Sequence, residues 1–521
     1  MRPLLSNGKS LELDAEALDS AVEPDGLIER AARGMAERLA RLLDRCAADA
    51  RPRPLRVVAL VGRGSNGADA LATLRILKEA GRPESMTAVL AFSCGSGTGG
   101  PAVSQLTRLE GLDIETLEYH SESVRCSAAI RAAGVVVEGL AGTGAAGNLK
   151  EPARTLVGLA NSSAALRVAV DLPAGLASDA ERFAAGVTLM VAPFKELAFR
   201  PSRRAACGTI LPVDNVFGPG AGAAAELRLA EAADLPLLVP RLAPDDHKGR
   251  RGRVGIWAGA VGTTGAASLA CAGSVAAGCG LARLRVRGEI WQALAARLED
   301  GLVAPLASCD EERDFAAGMH ALLAGPGWGV DEGSADLLDA LLCSERPLVL
   351  DADALVLLER AAREIRREAP LVLTPHPGEL ARLGDVSVDA VLEDPRSVAS
   401  SVAVRFGAVV CVRAVTTWVL RPDGTALVVD GLEPSLAVAG SGDVFAGLLA
   451  GLLARASAGD PERFEPAALA AAAALAHASA GRSLARRRGF YGASELAAEA
   501  ARIIHGASTA ESSIHGWRPK P

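Results

Sequence analysis

"VALVGRGSNGADALATLRIL", residues 58–77, reads as a short β-rich run, a glycine turn at Gly62 and Gly64, and an apolar helix. A lone G-x-G after a strand is often only a tight turn. Here the pattern returns. "VVVEGLAGTG" (135–144) sets Glu138 ahead of Gly142, Thr143 and Gly144, and "LRVAVDLPAG" (166–175) sets Asp171 ahead of Pro173 and Gly175. Apolar runs ending in glycine turns are the mark of buried parallel strands, whose carboxyl ends gather function. Asp69, Glu138 and Asp171 are therefore expected to converge on one crevice, although each alone is equally a cap or turn former.

The same grammar fills the second half. "GRVGIWAGA" (252–260), "ERPLVLDADAL" (345–355), "APLVLTPHPGEL" (369–380), "GAVVCVRA" (407–414) and "TTWVLRP" (416–422) are strands among alanine-rich helices. Between the halves, residues 214–250 are rich in Gly, Ala and Pro, which places a domain boundary near 230. The expected domains are 1–230 and 231–505, with 506–521 as a loose tail.

At 521 residues the chain exceeds one ordinary core. Its 55 basic and 62 acidic residues give a net charge of −7, which argues against a general nucleic-acid binder. The first twenty residues turn acidic before any apolar run, unlike a signal peptide. "EPAALAAAAALAHASA" (465–480) is too short to span a membrane. The nine cysteines show no C-x-x-C pair and suit a reduced cytoplasm.

"AVAGSGDVFAGLLAGLLA" (437–454) raises the sharpest question, because Asp443 opens what reads as a buried helix. Either it is an N-cap, or Gly440 and Gly442 let the backbone approach an anion at the helix start.

Two families resemble these segments. The N-terminal set, with the opening helix "GLIERAARGMAERL", resembles the NAD(P)H-hydrate epimerase domain, whose pattern is G-x-G-N-N-G-G-D-G, D-x-x-x-G-T-G and D-I-P-S-G. The stretch from His247 to Gly481, with "LLAGPGWG", "LVLDADAL", "LTPHPGELARL" and "AGSGD" in family order, resembles the ADP-dependent NAD(P)H-hydrate dehydratase. The resemblance implies an α/β chain of two domains, a Rossmann-like three-layer sandwich followed by a ribokinase-like domain.

By that resemblance Ser65, Asn66, Gly67, Ala68 and Asp69 form a substrate loop, and Gly142, Thr143, Gly144, Gly147 and Asn148 cradle phosphates. Asp171 is the acid–base residue, and Asn66, Glu138 and Ala174 occupy the potassium-site positions. In the second domain Asp443 is the catalytic base, and Ala266, Gly327 and His376 contact the hydrate with it. Arg413, Ala414, Val415, Thr416 and Thr417 bind the adenine nucleotide with Gly440, Ser441 and Gly442. The implied co-substrate is ADP with Mg2+, and the implied assembly is a homo-oligomer.

A hydrated nicotinamide carries a hydroxyl, and hydroxide leaves poorly. Phosphorylating it lets phosphate leave, which calls for a base beside the hydroxyl and a donor-rich hole for the phosphoryl group. His376 reads as a ligand whose direction Pro375 and Pro377 fix, or as a histidine bonded within its turn. Asp351 and Asp353 read as strand-end turn residues or as contacts to metal-bound water.

Departures from both patterns carry expectations. Ala68 and Ala70 replace glycines and should crowd any position of positive φ. Glu138 replaces an aspartate and reaches one methylene too far forward, while Ala174 replaces a serine ligand, so the potassium site is degraded. Arg413 for lysine brings a wider fork, and Glu433 adds charge near phosphates. Two other readings stay open: a ribokinase-like small-molecule kinase, and a degenerate nicotinamide-nucleotide-binding protein.

Overall fold

The computed structural model describes all residues except 20–23, 50–54, 83, 95–98, 143–146, 179, 219, 362–366, 460–464 and 510–521. The chain divides into two compact α/β units, residues 2–225 and residues 226 onward.

In the first unit seven parallel strands run in the order Ile114–Glu118, Ser85–Leu90, Arg56–Val61, Val135–Gly139, Leu166–Val170, Val187–Val191, Thr209–Val213. Both faces are covered. Val57, Ala59 and Val61 pack with Met35, Leu39, Leu71 and Leu74 of the helices Pro24–Asp49 and Ser65–Glu79. Val58 and Leu60 pack with Ile130, Leu156 and Val157 on the opposite side. A strand buried on two faces has no polar side to show, which is why these runs are continuously apolar.

Strand order reverses between Arg56–Val61 and Val135–Gly139, so the crevice for a ligand opens at their carboxyl ends. The two loops there are pressed together. A Cβ on Gly62 would lie 2.1 Å from the Leu140 carbonyl oxygen, and one on Gly67 would lie 1.9 Å from the Gly62 oxygen.

In the second unit ten strands run in the order Gly301–Pro305, Leu281–Val286, Arg253–Trp257, Ala321–Ala324, Leu348–Leu350, Leu371–Leu373, Val409–Arg413, Thr416–Leu420, Ala426–Asp430, Leu227–Ala230. The first seven are parallel, and Thr416–Leu420 is antiparallel to both its neighbours. Leu227–Ala230 pairs in parallel with Ala426–Asp430, so the unit begins at 226 and takes in a strand that a boundary at 230 leaves behind. The last helix, Ala493–Thr509, runs past 506: Ser508 accepts from Leu242 N and meets the Arg455 guanidinium. Residues 506–509 are thus packed helix, and the rest of the expected tail lies outside the described residues.

The helix Ser441–Ala458 lies against Thr264–Ala276 with almost nothing between their backbones. A Cβ on Gly447 would fall 2.2 Å from the Ala270 oxygen, and one on Gly273 would fall 2.3 Å from the Val444 oxygen. Ser274 Oγ donates across this seam to the Gly447 oxygen at 3.1 Å. The glycines of "AGLLAGLLA" are there to let two helices touch.

Candidate functional site

Ser65, Asn66, Gly67, Asp69, Gly142 and Asp171 all line one cavity of about 590 Å³ in the first unit. Residues 65–70 are the first turns of the helix Ser65–Glu79, not a loop. Ala68 and Ala70 are consequently in ordinary helical backbone and do no crowding. Ala68 packs with Ile28, Ala32 and Ala72 instead. Asn66 ties the crevice together, its Nδ2 donating to the Val170 oxygen at 2.9 Å and the Ala141 oxygen at 3.3 Å.

Asp171 stands at the end of Leu166–Val170 with φ +62°, a strained conformation for a side chain with a Cβ. Its Oδ1 accepts from Lys195 Nζ at 2.6 Å and from Val191 N at 3.1 Å. Burial and then the charge of Asp171 push Asp69 well above the ordinary carboxyl range, with Lys195 pulling the other way. Asp14, from the helix Asn7–Asp19, is raised by burial too and lines the same cavity. Sequence reasoning found Asp69 and Asp171 but not Lys195 or Asp14. Nothing in "APFKELAFR" marks its lysine, because only the fold brings it to Asp171.

Glu138 is fully buried but does not line the cavity. Its side chain does not reach forward; it folds back onto backbone. Oε1 accepts from Leu140 N at 2.6 Å and Oε2 from Ala174 N at 2.9 Å. Burial raises it to about 7 against the pull of these N–H groups. The expected convergence therefore holds for two acids of three. The potassium positions fit the ion poorly: Ala174 has no side-chain oxygen and its carbonyl accepts from Phe183 N, and both Glu138 oxygens accept backbone hydrogens, which leaves the Asn66 amide oxygen as the one uncommitted ligand of the three.

Gly147 and Asn148 are exposed, and Asn148 Oδ1 accepts from Ser178 Oγ at 2.5 Å. Thr143 and Gly144 lie outside the described residues.

In the second unit five strand ends and one helix start meet. Asp351, almost wholly buried, accepts from Thr374 Oγ1 and Arg413 Nη2 at Oδ1, both at 2.8 Å. Arg413 Nε donates to the Thr374 oxygen at 3.0 Å, and its guanidinium lies 5.3 Å from the Phe445 ring centroid. The third arm of the fork reaches the helix start: a Cβ on Gly442 would lie 2.4 Å from Nη1. Arginine thus does here what a lysine cannot, holding the strand ends and facing the anion hole with one group.

Asp443 sits in the first turn of Ser441–Ala458 and is pushed up to about 6, by burial first, then by Asp351, against the opposing pull of Arg413. It is not the N-cap. That position is Gly440, at φ +88°, with no side chain to offer. Ser441 N donates to the Val438 oxygen, so the N–H groups left for an anion are those of Gly442 and Asp443.

Gly327 is held against Thr263, whose Oγ1 donates to its carbonyl at 2.7 Å, with Ala266 beside it. Gly329 N donates to Asp353 Oδ2 at 2.8 Å. His376 is bonded within its turn: Nδ1 caps the helix Pro377–Gly384 by accepting from Gly378 N at 3.0 Å, and the residue is exposed. Ala414 and Val415 form the turn after Arg413, and the Thr416 hydroxyl accepts from Trp418 Nε1 at 3.1 Å. Thr417 is nearly buried. Glu433 does not face the hole freely either, since Ser435 N and Oγ donate to it at 3.2 and 2.8 Å. Asp351 Oδ1 and Asp353 Oδ2 carry these bonds, which leaves each carboxylate a second oxygen that suits a contact to metal-bound water.

A family model described as NAD(P)H-hydrate dehydratase matches residues 254–504, and one described as YjeF-related protein N-terminus matches 24–193. The bifunctional NAD(P)H-hydrate repair enzyme of Moorella thermoacetica is 30% identical over 457 residues, covering 83% of this chain and 84% of that protein. The chain belongs to the bifunctional NAD(P)H-hydrate repair enzyme family. The Salinibacter ruber member is 31% identical over 495 residues, covering 87% of this chain and 88% of its own. A solved ADP/ATP-dependent NAD(P)H-hydrate dehydratase from Bacillus subtilis, co-crystallized with ATP/Mg2+, is 24% identical and covers 53% of this chain and 97% of its own, with a TM-score of 0.46. Within this family's frame Asp14 and Lys195 stand out, because both lie beyond the 24–193 match yet line its cavity. Among the described residues no helix is long and apolar enough to cross a membrane.

Proposed function

We propose that the second unit carries out ADP-dependent dehydration of the S form of NAD(P)H hydrate, and that the first unit interconverts the R and S hydrates. The observation that carries the reading is Asp443, partly buried beside Arg413 at the start of an uncapped helix. Asp443 takes the proton from the ring hydroxyl as that oxygen attacks the terminal phosphate of ADP, releasing AMP. The Gly442 and Asp443 N–H groups and Arg413 Nη1 receive the phosphoryl oxygens. Asp351 and Asp353 would hold magnesium through its bound water, and the ion would supply charge neutralisation of the phosphates. Phosphate then leaves, pushed by the ring nitrogen's lone pair as the neighbouring ring carbon gives up a proton. Ala266, Gly327 and His376 hold the hydrate, and Gly440 and Ser441 flank the nucleotide.

In the first unit Asp171 is the acid–base residue, with Asp69, Gly142, Gly147 and Asn148 on the substrate. No step is assigned to potassium. We place the enzyme in the cytoplasm as a homo-oligomer.

The test is incubation of the purified chain with hydrated NADH and ADP or ATP, following the returning absorbance of reduced nicotinamide. Asp443→Asn, nearly isosteric but unable to take a proton, is expected to lower turnover about 10²–10⁴-fold while ADP still binds. Full turnover by that variant removes Asp443 from the base role, and phosphorylation without dehydration identifies a kinase.

A further inference from the structure

Ser441 opens the helix that carries Asp443, and its backbone N–H is already given to Val438. Its two oxygens converge on one atom of another helix. His477 Nε2, on Pro466–Arg488, lies 3.0 Å from Ser441 Oγ and 3.1 Å from the Ser441 carbonyl oxygen. A carbonyl only accepts, so Nε2 must carry the hydrogen. Burial, with the Arg413 charge next, holds this imidazole down at about 4, so the ring is neutral and Nε2–H is its tautomer.

That assignment settles the serine. A single N–H shared between carbonyl and hydroxyl makes Oγ an acceptor, and the hydroxyl hydrogen is left to another partner. Among the described residues none receives it. The histidine ring is itself fixed, edge to face with Phe445 at 5.7 Å and 85°, and Phe445 is the ring on which Arg413 lies. Arg413, Phe445 and His477 thus form one column beneath the helix start.

We propose that His477 is a positioning residue of the nucleotide site: by holding both Ser441 oxygens on Nε2–H, it leaves the Ser441 hydroxyl to donate to a phosphate oxygen of the bound nucleoside diphosphate. The inference rests on the nucleotide reading given above. It adds a hydroxyl to the Gly442 and Asp443 N–H groups and Arg413 Nη1, and it explains a partly buried polar ring on an alanine-rich helix.

The test uses the full chain labelled with ¹⁵N-histidine, together with calorimetric titration by ADP. His477 is expected to show a protonated Nε2 and bare Nδ1 that do not change across about pH 6–8. Ser441→Ala and His477→Phe are each expected to weaken ADP binding about 10–100-fold, the share of a hydrogen bond to a charged group. The double variant should be no weaker than either single one. His477→Gln, which restores an N–H donor, should recover most of the affinity. A protonated Nδ1, or a silent Ser441→Ala beside a damaging His477→Phe, overturns the proposal and leaves His477 as packing. If the unaltered chain binds neither ADP nor ATP, the nucleotide reading fails, and the proposal with it; the tautomer signal tells that case from a failure of His477 alone.

Discussion

Lys195 Nζ lies 2.6 Å from Asp171 Oδ1, with both side chains nearly buried, and it also donates to the Val191 oxygen at 2.9 Å. Removing one partner of a buried pair strands the other charge. Lys195→Met is therefore expected to destabilise the first unit by about 3–5 kcal/mol. Adding Asp171→Asn should return part of that loss, because the stranded carboxylate is gone. Urea unfolding of the unaltered chain and the two variants measures it. Equal losses in the single and double variants would show that Lys195 acts through packing.

The pH dependence of dehydration should follow Asp443. A base works ionised, and this carboxyl is pushed up to about 6, so its working form is lost as pH falls through that value. kcat/KM is expected to be level above neutrality and to drop about tenfold per pH unit well below 6. An ordinary carboxylate at this position keeps the rate level down to about pH 5. The profile of kcat/KM against pH distinguishes the two.

Epimerisation should be indifferent to potassium. Glu138 gives its oxygens to Leu140 and Ala174, and the Ala174 side chain offers no ligand, so replacing potassium by sodium is expected to leave the rate unchanged. Glu138→Asp with Ala174→Ser withdraws the carboxylate and adds a hydroxyl, which should make the rate respond to potassium. The Ala68→Gly change suggested by the family pattern has no place here, because residue 68 is helical and packed. The assay is conversion of the R hydrate, read through coupled dehydration in each salt. Strong potassium dependence of the unaltered chain refutes the account.

Gly447→Ala is expected to cost at least the about 1–3 kcal/mol of an overpacked core, because its Cβ meets the Ala270 oxygen at 2.2 Å. Dehydration should fall more steeply than stability alone explains, since Asp443 lies one turn away on the same helix. Thermal melts alongside turnover at a temperature where the variant is folded separate the two effects.

What was legible in the sequence was local. The strands of "LRVVALVG" and "VVVEGLAGTG" announce themselves because both faces are buried, and "AGSGD" announces its helix start because glycine and a carboxylate there have few other uses. Contacts made by distant segments were not legible. Lys195 and His477 are ordinary in their own neighbourhoods and meaningful only beside Asp171 and Ser441. Glu138 was misjudged by chemistry rather than position. An extra methylene read as reach, while the backbone N–H groups of Leu140 and Ala174 drew the carboxylate home.

The glycine seam between Ser441–Ala458 and Thr264–Ala276 has an evolutionary reading. The bearing of the base and of the anion hole is set by two backbones in direct contact, bridged by the Ser274 hydroxyl. Residues around the hole can then be exchanged, as Arg413 and Glu433 have been, without moving the point where chemistry is done. Drift is confined to the fittings, while the mounting tolerates almost none. Along this helix pair, the glycines at 273 and 447 are where history has little room to edit.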